Sequence, residues 1–194
     1  MKHFALFAIL FAGLSLAFTN PIETVSVNLN SSTVAWRGYK VLGEHTGTVK
    51  LSSGNLDFDG ETLTGGRFVI DMTSIVCTDL SGETRGKLEG HLKSDDFFGV
   101  ATYPEAVLDI ANVIPYGKPG EYKVVGNLTI KGITKEVKFF TTVTEDNGQR
   151  VATSEITVDR SEYNVRYGSG SFFDSLGDNT IYDEFDINVR LVLN

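Results

Sequence analysis

Apolar and polar residues alternate with a period of two along most of this chain. The run Arg67-Phe68-Val69-Ile70-Asp71-Met72-Thr73 sets Phe68, Ile70 and Met72 against Arg67, Asp71 and Thr73. That spacing marks a half-buried β-strand, because successive strand side chains point to opposite faces. The pattern recurs over Val34 to Val41, Thr46 to Leu51, Glu105 to Val113, Tyr122 to Ile130, Glu136 to Val143, Ala152 to Val158 and Glu184 to Leu193. Turn-forming residues stand between the runs, among them Asp59-Gly60-Glu61, Gly117-Lys118-Pro119-Gly120, Lys131-Gly132 and Asp146-Asn147-Gly148. They supply the positive or preset φ of a tight reversal. Connections this short join antiparallel neighbours, whereas parallel strands need crossovers for which the chain has no room.

One stretch, Asp79 to Phe98, breaks the alternation. Leu88 and Leu92 stand four apart there, as on one face of a short helix, and Ser94-Asp95-Asp96 reads as a turn that offers Phe97 and Phe98 to the adjacent sheet. Tyr167 to Asp183, rich in Gly, Ser, Asp and Asn, reads as a long loop before the last strand. So little helix cannot cover a sheet that is apolar on one face. A sheet of about eight strands must then close on itself. The predicted fold is all-β: a closed antiparallel up-and-down barrel with one short helical insertion. Closure at that strand number leaves an interior that side chains fill or that one small ligand occupies, and the pattern alone leaves both open.

Composition narrows the setting. Met1-Lys2-His3, an apolar run from Phe4 to Leu14 and then Ser15-Leu16-Ala17 have the layout of a secretory signal peptide over residues 1–17, leaving one domain over residues 18–194. The expected location is the periplasm or the exterior. The apolar run is shorter than the roughly 20 residues that span a bilayer, and no later segment approaches it. No cysteine follows the cleavage point closely enough to carry a lipid anchor, and Cys77, the only one, has no disulfide partner. Loss of Lys2 with the leader leaves 16 basic against 25 acidic residues, a formal charge of −9. Nucleic-acid binding needs clustered cations to neutralise phosphates, so this balance argues against it.

Reactive chemistry has little foothold. His45 and His91 are the histidines left after the leader, and they lack metal-ligand spacing. Gly168-Ser169-Gly170-Ser171 is not a nucleophile elbow, and Gly117-Lys118 runs into Pro119 rather than a phosphate-binding loop. Asp174, Asp178, Asn179, Asp183 and Glu184 miss the spacing of a calcium loop and read as a solvated acidic segment. No motif calls for a cofactor or a metal.

Leu88 to Pro104 reads L-E-G-H-L-K-S-D-D-F-F-G-V-A-T-Y-P, and Gly126 to Phe139 reads G-N-L-T-I-K-G-I-T-K-E-V-K-F. With His45-Thr46-Gly47-Thr48-Val49 and Phe68 to Ile75 before them, their order and spacing resemble the YceI family. The resemblance covers nearly the whole mature chain. It implies a lipocalin-like periplasmic or secreted barrel whose lumen takes a polyisoprenoid, isoprenoid quinone or other long lipid, without catalysis. The family's Arg-Asp pair ahead of His91 is replaced by Leu88-Glu89-Gly90, which bears on the headgroup.

Alternation nominates Trp36, Phe68, Ile70, Leu108, Val124, Phe139 and Ile187 as lumen-facing ligand contacts. Lys87, His91 and Lys93 are the rim residues that would meet a headgroup. Two other readings stand beside the carrier: a structural or partner-binding barrel with a filled core, and a small hydrolase using His91 with Asp95 or Asp96. A homodimer is left open.

Overall fold

The computed structural model describes residues 21–194, so the proposed signal peptide over residues 1–17 lies outside the described residues. Nine strands are present: β1 (Glu23–Ser26), β2 (Thr33–Lys40), β3 (Gly43–Asp59), β4 (Thr62–Cys77), β5 (Glu105–Pro115), β6 (Glu121–Ile130), β7 (Ile133–Asp146), β8 (Gln149–Asp159) and β9 (Ile181–Val192). One helix, α1 (Gly82–Lys93), interrupts them between β4 and β5. Every pairing is antiparallel and follows chain order from β2 to β9, and β2 pairs β9 to close the barrel. β1 and β2 run in the same direction along β3, over Phe58–Asn55 and then Val49–Gly43, with Val27 bridged to Leu193. They act as one interrupted stave of an eight-stave barrel.

The turns explain the meander. Lys131-Gly132 and Asn147-Gly148 have φ of 53° and 74°, and of 52° and 77°, so both are two-residue reversals with positive φ throughout. Their twist matches that of the strands they join. Register shifts in β3–β4, β2–β9 and β5–β6 insert bulges that bend the long strands around the barrel.

The predicted faces hold along β4. Phe68 and Met72 are buried, Ile70 packs half-buried against the core, and Arg67 and Thr73 are exposed with Asp71 half-buried. Outside, Arg67 pairs with Asp109 of the neighbouring strand. One inward position must be glycine. A Cβ on Gly47 would lie 1.9 Å from the Val76 carbonyl oxygen and 2.3 Å from the Trp36 indole, so the ring lies against bare backbone.

The helical insertion appears where the alternation fails, and the last strand starts at Ile181, earlier than predicted. α1 buries none of its own side chains. Its position comes from ties at either end: Glu89 accepts from the Cys77 amide (2.9 Å) and from Arg85 Nε (2.7 Å), and Lys131 Nζ donates to the Asp95 and Phe97 carbonyls (2.9 and 2.8 Å). Phe97 is thereby driven into the core and Phe98 against it.

Candidate functional site

The two ends of the barrel are built differently. Where β3–β4, β5–β6 and β7–β8 turn, Phe58, Leu63, Tyr122, Val124 and Leu193 are all at most 5% exposed and fill the interior. The Tyr122 hydroxyl accepts from the Leu63 amide (3.3 Å) and donates to the Glu61 carbonyl (3.4 Å), which ties β6 to the β3–β4 hairpin across that end. Toward the other end the interior opens into a cavity of about 190 Å³. Leu92, Phe97 and Phe98 of the insertion roof it, and its wall includes Ile181 and the exposed Tyr182.

Of the predicted lumen residues, Trp36, Phe68, Ile70, Leu108, Phe139 and Ile187 all line this cavity, each on a different strand or a different level. Val124 does not. It is fully buried in the filled end, paired with Val113 and Phe139, because alternation assigns a face but not a depth along the barrel. The rest of the lining is equally apolar. Its one polar pair, Thr141 and Ser154, is joined hydroxyl to hydroxyl at 2.8 Å and so presents little unmet polarity. The Trp36 indole N–H is buried without a partner.

The rim residues predicted from sequence are placed differently from that expectation. Lys87 pairs with Glu83 on the outer side of α1 (2.6 Å), both largely exposed. His91 packs edge-on against Phe97 and Tyr167, with ring centroids 5.7 and 4.2 Å away. Neither these two nor Lys93 lines the cavity. Lys87 is exposed, His91 and Lys93 are half-buried, and α1 turns Leu92 instead of these three toward the cavity.

A residue that sequence reasoning missed takes their place. Arg160, in the 3-10 turn Arg160–Tyr163 after β8, is 2% exposed and is the one charged side chain lining the cavity among the described residues. It donates to the carbonyls of Tyr182 (3.1 Å), Val165 (2.8 Å) and Ile181 (2.9 Å), lies 3.3 Å from Asp183, and sits over the Phe97 ring. Burial pushes its pKa down, opposed by Asp183 and Asp159, but a guanidinium stays charged in any protein. Arg160 thus staples the long loop to the start of β9. The only sequence signal was a cation directly after a strand.

Two clusters bear on catalysis. His91 makes no hydrogen bond to Asp95 or Asp96, which are both exposed, so that pairing is not assembled. At the mouth, His45 Nδ1 lies 2.8 Å from Asp79, which also accepts from the Thr46 amide (2.8 Å) and the Cys77 thiol (3.1 Å). Burial works to raise the Asp79 pKa, but these hydrogen bonds from His45, Thr46 and Cys77 win and hold it well below the usual carboxylate range. Burial and the neighbouring Asp79 both push the Cys77 thiol up. A carboxylate facing a thiol suppresses the thiolate, the reverse of what a nucleophile needs. Among the described residues no cluster of three or more His, Cys, Asp or Glu side chains is placed to hold a metal ion, and no helix is long and apolar enough to cross a membrane.

Residues 26–193 match the YceI-like domain family. The chain spans about half the length of the curated relatives it matches: it is 32% identical over 96 residues to a UPF0312 protein of Yersinia pestis (strain Pestoides F), covering 48% of this chain and 49% of that protein. A UPF0312 protein of Staphylococcus aureus (strain bovine RF122 / ET3-1) is 35% identical over 86 residues, 41% of this chain and 47% of that protein. Among solved structures, BcnA of Burkholderia cenocepacia superposes with a TM-score of 0.71 at 25% identity, covering 87% of this chain and 99% of that one. A polyisoprenoid binding domain from Saccharophagus degradans gives 0.64 at 16% identity, with 87% and 97% covered. The family match runs from β1 past the end of β9, and the closed barrel is shared with these structures, so the protein belongs to the YceI-like domain family.

Proposed function

We propose that this protein is a non-enzymatic carrier, exported to the periplasm or beyond, that holds the apolar chain of a polyisoprenoid or similarly long lipid in its barrel. The observation that carries the reading is the lining: a one-ended cavity walled by carbon, in which the only charge is a guanidinium already engaged by three carbonyls and a carboxylate. Such a wall rewards apolar area, at about 0.8 kcal/mol per buried methylene, and penalises an unpaired charge by several kcal/mol. A long chain supplies its affinity without polar contacts. The Saccharophagus degradans domain is described as polyisoprenoid binding, and its likeness of fold makes that ligand class a fitting first probe.

The cavity, about 190 Å³, is smaller than the roughly 300–1,000 Å³ of common ligand pockets. A long chain therefore widens the lumen, and the roof of Leu92, Phe97 and Phe98 is the part that yields, because it belongs to a connection and not to a paired strand. The filled half of the interior favours the scaffold reading as the alternative. Native mass spectrometry of protein purified without detergent separates them. The carrier shows a bound lipid mass that disappears in Ile70→Asp with the barrel still folded by circular dichroism, and a protein that carries no lipid and takes up no prenyl or acyl chain is a scaffold.

A further inference from the structure

Six of the twelve large exposed apolar side chains among the described residues stand on the β2–β3 tip, the loop before β9 and the start of β9. Val41 and Leu42 at the β2–β3 tip are 43% and 67% exposed, Tyr167, Phe172 and Phe173 on the loop before β9 are 49%, 41% and 49%, and Tyr182 is 52%. They form one surface: the Val41 amide donates to the Thr180 carbonyl (3.1 Å) and the Ile181 amide to the Gly168 carbonyl (2.8 Å), so the hairpin, the loop and β9 are tied together. Tyr182 belongs both to this surface and to the cavity wall. Apolar surface continuous with an apolar cavity wall calls for a partner.

We propose that these loop tips seat the open end of the barrel on a zwitterionic bilayer, so that a lipid passes between membrane and lumen without crossing water; this rests on the carrier reading. The form of the surface selects a bilayer over a protein. The β2–β9 pairing closes the barrel, and the exposed apolar residues lie on the β2–β3 tip, the loop before β9 and the start of β9, away from the partly unpaired β4 and β7–β8 edges that a peptide strand could extend. The apolar groups stand on separate projecting tips rather than in a groove, and they are Tyr, Phe and Leu, residues that settle at the level of lipid headgroups and upper chains. Charge selects the kind of bilayer. Glu44, Asp174 and Asp178 are exposed beside the tips and are matched in number by Arg37, which pairs with Glu44 (3.9 Å), Lys40, and Arg166, which lies over the Phe172 ring at 4.8 Å. An anionic surface gains nothing from that set.

Flotation of the full-length mature protein with phosphatidylcholine vesicles holding a trace of a fluorescent long-chain prenol tests this. The triple variant Leu42→Ser/Phe172→Ser/Phe173→Ser changes only exposed side chains, and Ile114→Ser/Tyr116→Ser at the filled end is its control. Docking predicts that wild type and control float, and that the triple variant loses both bound fraction and prenol loading rate by about tenfold or more. Its final prenol occupancy stays the same, and added anionic lipid does not strengthen binding. Failure of the wild type to float, unchanged flotation of the triple variant, or a patch that instead pairs two copies by sedimentation overturns the docking proposal. A lumen that takes prenol in neither protein, however long the incubation, overturns the carrier reading separately.

Discussion

The filled end and the open end of this barrel solve the same problem with different materials. At the filled end the connections are short, so no chain is left over to fold across the opening, and closure falls to buried side chains, among them Phe58, Tyr122, Val124 and Leu193. At the open end the β4–β5 and β8–β9 connections are long, and closure falls to those segments, which send Phe97, Val100, Tyr163 and Val165 inward and are tied by hydrogen bonds from Glu89, Lys131 and Arg160. Side-chain packing of the first kind is dense and resists change. The open end draws its packing from chain that lies outside the strands, and the difference between the ends is which segments supply it.

Phe58→Ala should show the largest stability loss, about 3–5 kcal/mol by chemical denaturation, because the ring is wholly buried and the packed end cannot collapse around the void. Lipid occupancy should survive, and its loss would mean that the ligand reaches the filled end. Arg160→Ala should cost about 3 kcal/mol, since it removes the donor to three carbonyls and takes its cation from Asp183, to which Ser171 Oγ still donates (2.6 Å). Its signature should be local: hydrogen exchange should rise across the loop before β9 and leave β5 and β6 protected. Equal loosening of both ends would break the comparison.

Smaller effects sharpen it. Asp79 has a folded pKa below its unfolded value, so its contribution is complete above the ordinary carboxylate range, near pH 4, and is lost as pH falls through and below it. Asp79→Asn should therefore be less stable than wild type at pH 7, and the two should converge in acid; parallel curves from pH 7 to pH 2 would show that the carboxylate contributes nothing. Tyr163 gives the smallest change. Its hydroxyl is buried without a partner, and burial first, then Glu162 and Asp159, pushes its pKa up to about 12. Tyr163→Phe should be neutral or stabilising by about 1 kcal/mol. It should also remove part of the stability decline above pH 10, where the unfolded tyrosine ionises and the folded one does not.

Much of this molecule was legible in its sequence, for reasons that depend on range. Period-two alternation determined strand identity and the inward face, so Trp36, Phe68, Ile70, Leu108, Phe139 and Ile187 could be named as lumen residues, and Lys131-Gly132 and Asn147-Gly148 as reversals, because these properties arise between residues close in the chain. Depth along the axis has no such local signature. Val124 and Phe139 carry the same pattern and sit side by side across β6–β7, yet one is packed into the filled end and the other faces the cavity, because neighbours from distant strands decide where the interior is full. Charge placement is likewise tertiary. Lys87, His91 and Lys93 were marked by their place in a motif, but a helix laid on the rim turns them away from the lumen, while Arg160 is carried inward by a 3-10 turn after the alternation has ended. Burying that guanidinium is tolerable only once the carbonyls of Val165, Ile181 and Tyr182 and the Asp183 carboxylate converge on it, and that convergence exists only in the folded barrel.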